Sequence, residues 1–140
     1  MKRLKIFLLC ALASVAFGLN VNAEDIKDAS YRVIARVDGD GTVKNGSYGI
    51  VGRFQTDGTV KDRSYRTIGH IESDGTIKDG SYRVMLRVSG DGTVKDANYR
   101  ILGRIGGDGT VKDASYRTIG HAGRIMRRTW VAYIFFGNLL

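Results

Sequence analysis

Hydrophobic and polar residues alternate over short stretches between residues 24 and 123, and turn-forming residues separate the stretches. Segments of the type Tyr-Arg-x-Ile-Gly-Arg-Ile and shorter Thr-Val-Lys segments are rich in β-branched and aromatic residues, as strands are. Asp-Gly and Asp/Asn-x-Ser sequences between them are typical of tight turns. The pattern predicts an all-β domain of about ten or eleven strands.

A strict period of 17 residues underlies this pattern. The sequence Asp-Gly-Thr-Val/Ile-Lys begins at Asp40, Asp57, Asp74, Asp91 and Asp108. A tyrosine follows each at the same interval, and Tyr31 belongs to a partial earlier copy. With the Asp as position 1, the consensus is D-G-T-V-K-D-x-S-Y-R-x-I-G-R-I-x-x. Such a period indicates tandem structural units.

Two β architectures fit the repeat. In a parallel β-solenoid, Arg83, Arg100 and Arg117 would stack about 4.8 Å apart in like-charge contact. In an antiparallel meander of hairpins, equivalent residues lie two strands apart, and Asp-Gly turns join antiparallel neighbours. We therefore predict the meander and keep the solenoid as the alternative. The pattern leaves open whether the sheet stays open or closes into a barrel.

Strand alternation assigns one face to the core and the other to solvent. The second unit places Tyr48, Ile50, Gly52 and Phe54 on the predicted core face. The fourth unit places Arg83, Met85 and Arg87 on the other face. Glycines recur on the core face at Gly52, Gly69, Gly103 and Gly120. A missing side chain there would let a neighbouring ring lie across the backbone.

Residues 1–23 are typical of a secretory signal peptide. Lys2, Arg3 and Lys5 precede an apolar run that is too short to cross a bilayer, which takes about 20 residues. Cleavage is expected after Ala23, with Gly18 as the second choice. The leader predicts a bacterial protein that is secreted or periplasmic and belongs to the cell envelope, with no transmembrane span in the mature chain.

Residues 124–140 abandon the repeat and are basic and apolar. The run Trp130 to Phe136 fits a buried strand, and it equally fits a helix that ends at Gly137. In either form we expect a cap that packs on the apolar sheet face or closes the array of 24–123, because terminal repeats need cover. Membrane association or docking to a partner is the alternative.

Charge and composition narrow the chemistry. The formal charge of +8 falls to +5 without the leader, which also holds the one cysteine, Cys10. Disulfides and thiolate metal sites are therefore not expected.

His70 and His121 occupy position 14, where other units have Arg, and lie 51 residues apart. A catalytic site is normally a single constellation of residues, whereas nearly every polar residue here occurs several times over. We therefore expect no catalytic residue, metal site or cofactor, and we expect that the protein is not an enzyme.

Two arginine columns are the best candidates for a binding surface, and an aliphatic stripe at position 12 lies between them. Position 10 holds Arg32, Arg66, Arg83, Arg100 and Arg117, and position 14 holds Arg36, Arg53, Arg87 and Arg104. Such a surface would bind an anionic glycan, lipid head group or other envelope component. Alternatively, these arginines pair with turn aspartates and keep the sheet soluble. No nucleic-acid partner is expected.

The repeat resembles that of small secreted bacterial tandem-repeat proteins whose function is not established. The resemblance rests on the Asp-Gly-x-Val-x-Asp…Ile-Gly-x-Ile unit and covers about residues 24 to 123. The hairpins are also similar in style to MORN and choline-type wall-binding repeats, which have longer periods. Because the polar residues repeat from unit to unit and the leader predicts export, we expect a non-catalytic structural or adhesive module of the envelope. Self-association through unpaired terminal strands and the apolar C-terminal segment is a further hypothesis.

Overall fold

The computed structural model describes residues 23–140 except Ile125. Residues 1–22 of the predicted leader lie outside the described residues. Twelve strands follow one another along the chain. They are β1 (Glu24–Asp28), β2 (Val33–Val37), β3 (Thr42–Asn45), β4 (Ile50–Phe54), β5 (Thr59–Asp62), β6 (Thr67–Ile71), β7 (Thr76–Asp79), β8 (Val84–Val88), β9 (Thr93–Asp96), β10 (Ile101–Ile105), β11 (Thr110–Asp113) and β12 (Thr118–His121). Helix α1 (Arg128–Phe136) follows the strands.

The strands form an antiparallel meander that closes into a barrel. Each strand pairs with the next, and β1 pairs with β12 through Lys27 opposite His121. The predicted meander is confirmed, and the parallel solenoid is not found. The strand number exceeds the predicted ten or eleven because residues 24–28 form a strand. Closure also pairs the terminal strands, which the self-association hypothesis had treated as open edges.

Two kinds of turn join the strands, one at each end of the barrel. At one end, Gly41 donates its N–H to the Asp38 carbonyl, and Asp38 donates to Thr42. This three-residue loop places Gly41 at φ +91°, and the equivalent glycines of the other Asp-Gly turns have φ of 89–93°. The left-handed conformation there is the reason the repeat has a glycine after its aspartate. We call this end the Asp-Gly rim.

A β-bulge recurs at the same register in each unit. Val43 lies opposite Gly52 and Lys44 opposite Ile50, so Val51 has no partner residue. Equivalent bulges leave Ile34, Ile68, Met85, Leu102 and Ile119 unpaired. These aliphatic residues are half-buried and pack against the core. The predicted aliphatic stripe between the arginines is therefore wrong, because the bulge interrupts the strict alternation on which it relied.

Helix α1 lies inside the barrel. Its Val131, Ala132, Tyr133 and Ile134 are buried, and four consecutive buried residues cover all sides of a helix. Its rings also meet strands from around the barrel wall, which only a central position allows. Trp130 stacks on Phe54 at 4.9 Å between ring centroids, and Tyr133 meets Phe54 edge-on at 5.8 Å. Of the two forms left open by the sequence, residues 128–136 adopt the helix.

The inward glycines make room for this helix. A Cβ at Gly69 would lie 2.8 Å from a ring carbon of Tyr133, and one at Gly103 would lie 2.6 Å from a ring carbon of Phe136. Gly120 and Gly52 face Phe135 and Leu139 in the same way. Rings of the helix thus cross three of the four glycines, as expected, whereas at Gly52 the aliphatic side chain of Leu139 lies there instead. The Tyr133 hydroxyl donates to the Ile68 carbonyl at 3.2 Å, and burial raises the pKa of Tyr133.

The glycine contacts predict a specific packing sensitivity. Gly69→Ala should destabilise the barrel by about 1–3 kcal/mol, because the added methyl overlaps the Tyr133 ring. Gly107→Ala is the matched control, since a Cβ there meets nothing within 4 Å. The denaturation midpoint in urea measures both changes. Equal midpoints for the two variants would contradict the close packing.

Candidate functional site

The tyrosine turns form the second end of the barrel. Tyr48 donates its N–H to the Asn45 carbonyl, and Asn45 donates to Gly49, in the same loop type as at the Asp-Gly rim. Here a tyrosine occupies the left-handed position, with φ of 65–69° in the six turns described. The six rings are 56–65% exposed. Placing Tyr48 and Ile50 on the core face was therefore wrong, because the tyrosine belongs to the turn and the strand begins two residues later.

Each tyrosine ring is stacked on the position-14 side chain of the preceding unit. Arginine lies over the ring in the pairs Arg36/Tyr48, Arg53/Tyr65, Arg87/Tyr99 and Arg104/Tyr116, with 4.2–4.9 Å from the guanidinium carbon to the ring centroid. Histidine replaces it in His70/Tyr82 and His121/Tyr31, at 3.9 and 4.2 Å between centroids. We call these six stacked pairs the tyrosine belt. The two histidines thus do what arginine does elsewhere.

The stacking energy offsets only part of the conformational strain that a tyrosine has in the left-handed position of the turn. The left-handed conformation costs a non-glycine residue roughly 1–2 kcal/mol. An exposed cation–π contact returns about 0.5–1 kcal/mol. Folding stability alone would therefore favour glycine at these positions, as the Asp-Gly rim has. The repeated choice of an exposed ring points to a role at the surface.

The position-10 arginines are paired locally. Arg32, Arg66, Arg83, Arg100 and Arg117 each lie next to the aspartate four residues earlier, with Nε to Oδ2 distances of 2.9–3.3 Å. Their side chains are 78–82% exposed. The alternative in which arginines pair with turn aspartates therefore describes this column. The position-14 arginines stack on tyrosines, and among them Arg36 also pairs with Asp25 at 2.7 Å.

A lysine column completes the outer wall, and the sequence reasoning missed it. Position 5 places Lys44, Lys61, Lys95 and Lys112 directly opposite the position-14 arginines on the adjacent strand. Like charges in facing positions are destabilising. The signal was present, because lysine follows Asp-Gly-Thr-Val/Ile in every copy and strand alternation places it outward. We call these facing residues the cationic wall.

Acidic residues at position 16 neutralise only some of the position-5 lysines that face a position-14 side chain. Lys44 contacts Asp38 at 3.3 Å, and Lys78 contacts Glu72 at 2.9 Å. The same position holds Gln55, Ser89 and Gly106 in the other units. Asp38, Asp40, Asp57, Glu72, Asp74, Asp91 and Asp108 all lie at the Asp-Gly rim. The modest net charge therefore conceals an acidic rim beside a strongly basic wall.

The turn aspartates are held in their ionised form by hydrogen bonds. In the tyrosine turns, Asp62 Oδ1 accepts the backbone N–H groups of Arg66 and Ser64, and these bonds hold the pKa of Asp62 below its usual range. In the Asp-Gly turns, the backbone N–H of Thr59 has the same effect on the pKa of Asp57. The pKa values of the other turn aspartates are lowered likewise: Asp28, Asp40, Asp74, Asp79, Asp91, Asp96, Asp108 and Asp113.

The two histidines and the acidic side chains of the described residues are spread around the barrel. Within residues 23–140, Ile125 apart, no group of three or more His, Cys, Asp or Glu side chains lies close enough to hold a metal ion. His70 and His121 are three units apart on a ring of six, so they lie on opposite sides of the barrel. Neither histidine meets the other.

The fold and the outer wall define a class of protein: a closed β-hairpin barrel with a helix inside and a repeated cation–aromatic surface. Residues 23–138 match the family described as 5-fold beta-flower protein, so the chain belongs to that family. No curated protein and no solved structure matches significantly. Among the described residues, no helix is long and apolar enough to span a membrane.

The aspartate pKa values predict acid sensitivity. A folded-state pKa below the unfolded value of about 3.9 contributes stability that is present above that pH and lost as the pH falls through the folded pKa. The urea midpoint should therefore stay level above about pH 5 and fall below about pH 4. Joint replacement Asp62→Asn, Asp79→Asn and Asp96→Asn should flatten this decline, because Asn45 makes the same backbone bonds without titrating. An unchanged decline would contradict this origin.

The strain argument predicts an order for substitutions at Tyr99. Tyr99→Ala loses the stack on Arg87 but keeps the left-handed strain, so it should destabilise the barrel by about 0.5–1 kcal/mol. Tyr99→Gly loses both, so it should be about 1 kcal/mol more stable than the alanine variant. Thermal or urea unfolding gives the order directly. An alanine variant as stable as the glycine variant would show that the turn is unstrained.

Proposed function

We propose that this protein is a non-catalytic binding module of the bacterial cell envelope, and that its cationic wall binds an anionic polymer such as an acidic glycan. The observation that carries the proposal is the set of arginine–lysine pairs that face one another across neighbouring strands, such as Arg53 and Lys61. Facing like charges cost stability in the free protein. An anion bound between them would remove that cost.

The tyrosine belt supports the same proposal. Four of the six rings hold a position-14 guanidinium on one side, which limits the motion of the guanidinium and so lowers the entropy lost on binding. Guanidinium groups bind carboxylates, sulfates and phosphates in bidentate fashion. Four of the six position-14 residues are arginines, so a polymer with repeated negative charges can contact several of them. Envelope localisation follows from the predicted leader and belongs to the proposal.

The position-10 arginines have a smaller part in this proposal than the sequence predicted. Their Nε groups already lie against turn aspartates, so each is accompanied by a compensating negative charge. The wall cations Lys61, Lys95 and Lys112 make no ion pair among the described residues. The two columns therefore differ in available charge, and this difference can be tested.

Binding to polygalacturonate at low salt tests the proposal. The triple variant Lys61→Ser, Lys95→Ser and Lys112→Ser should weaken binding about tenfold or more, because charge-assisted contacts are worth about 1.5–3 kcal/mol each. The control Arg83→Ser, Arg100→Ser and Arg117→Ser removes the same charge from paired residues and should change binding less than about twofold. Wild-type binding should fall as salt rises.

Two outcomes would count against the proposal. Equal weakening by both triple variants would show that binding depends on net charge rather than on the cationic wall. No retention of the wild-type protein on polygalacturonate, dextran sulfate or anionic lipid at low salt would remove the proposal altogether. Neutral dextran serves as the ligand control.

A further inference from the structure

A groove of about 470 Å³ crosses the outer wall at β10, β11 and β12. Its lining includes Arg104 and Lys112, which face each other across β10 and β11, and Tyr116, whose ring carries the Arg104 guanidinium at 4.9 Å. His121 closes one side. The volume lies within the range of small-ligand clefts, which is about 300–1,000 Å³.

Position 16, which varies from unit to unit, holds a glycine beside this groove. In the third unit that position is Glu72, whose carboxylate reaches Lys78 at 2.9 Å across the wall. In the fifth unit it is Gly106, which also lines the groove. Lys112 therefore has no acidic partner from this position, and no side chain of residue 106 covers the space beside it.

The polar groups around the groove are of both signs. Arg104 is held by a hydrogen bond from its Nη1 to the Thr93 hydroxyl at 2.9 Å. Asp91 and Asp108 lie at the rim side of the groove, and each accepts one backbone N–H, from Thr93 and Thr110. A carboxylate has about four acceptor sites, so both can accept further hydrogen bonds. A simple inorganic anion would gain nothing from these two aspartates.

We propose that this groove is a subsite for one acidic sugar residue of the polymer, a pyranose that carries a carboxylate. Its carboxylate lies between Arg104 and Lys112, and its hydroxyls donate to Asp91 and Asp108. The exposed part of the Tyr116 ring contacts the apolar face of the sugar. This inference rests on the proposed function and adds a ligand class and a place to it.

Titration with galacturonic acid and its disaccharide, followed by amide chemical shifts, tests the subsite. The largest shifts are expected at β10, β11 and the Tyr116 turn. Gly106→Glu should weaken disaccharide binding at least tenfold, because the new carboxylate can pair with Lys112 as Glu72 pairs with Lys78. Ser89→Glu is the matched control: it adds the same charge at the same repeat position beside Lys95 and should change binding less than twofold.

Further variants and ligands distinguish a failure of the subsite from a failure of the proposed function. Lys112→Gln should weaken disaccharide binding without altering a glycine, should Gly106→Glu fold poorly, and Arg83→Gln is its control because that guanidinium is already paired with Asp79. Salt-sensitive polygalacturonate binding without disaccharide shifts in the groove would overturn the subsite alone. Equal response to inorganic phosphate, or to neutral galactose, would overturn the acidic-sugar assignment. Absence of both polymer and disaccharide binding would overturn the subsite together with the proposed function.

Discussion

The structure depends on filling the inside of a twelve-stranded barrel. A barrel of this width has more interior than its own inward side chains occupy, and an empty apolar interior forfeits the contacts that stabilise it. Helix α1 supplies the missing volume with aromatic rings that lie on inward glycines such as Gly69 and Gly103. The shell and the helix are therefore not independent: the glycines would weaken an open sheet, and outside the barrel the helix would expose its apolar side chains to water.

This arrangement combines a repeated shell with a filling that does not repeat. The helix presents different side chains to different units, so the inward column has glycine opposite Tyr133 and Phe136 but Ala35 and Leu86 elsewhere. The outer wall has no such constraint. On the outer wall, lysine at position 5 and tyrosine at position 9 recur from unit to unit, as does arginine at position 14 in most units. Only the conformation that the turns require restricts which residues can stand there. Variation on the outside, such as glycine at position 106, consequently has local effects on the surface and leaves the shell intact.

Much of the fold could be predicted because its causes are local. The period of Asp40 to Asp108, the glycine of each Asp-Gly turn and the β-branched segments identify hairpins, and like-charge stacking favours the meander. The residues of the candidate site could be predicted only in part from the sequence. The position-14 arginines were found, but the position-5 lysines were missed. The position-10 arginines proved to be paired with turn aspartates such as Asp79. Tyr48 was assigned to the wrong face because alternation was extended into a turn.

The sequence by itself determined the repeat, the turn types and the antiparallel order of the strands, since each depends on residues close together in the chain. Only the tertiary structure decided that the sheet closes, that residues 128–136 are helical and lie inside, and that each tyrosine stacks on the position-14 side chain of the preceding unit. These features depend on contacts between residues far apart along the chain, or on bulges that shift the register by one residue. The free energy that selects them is that of packing, which no local pattern of residues records.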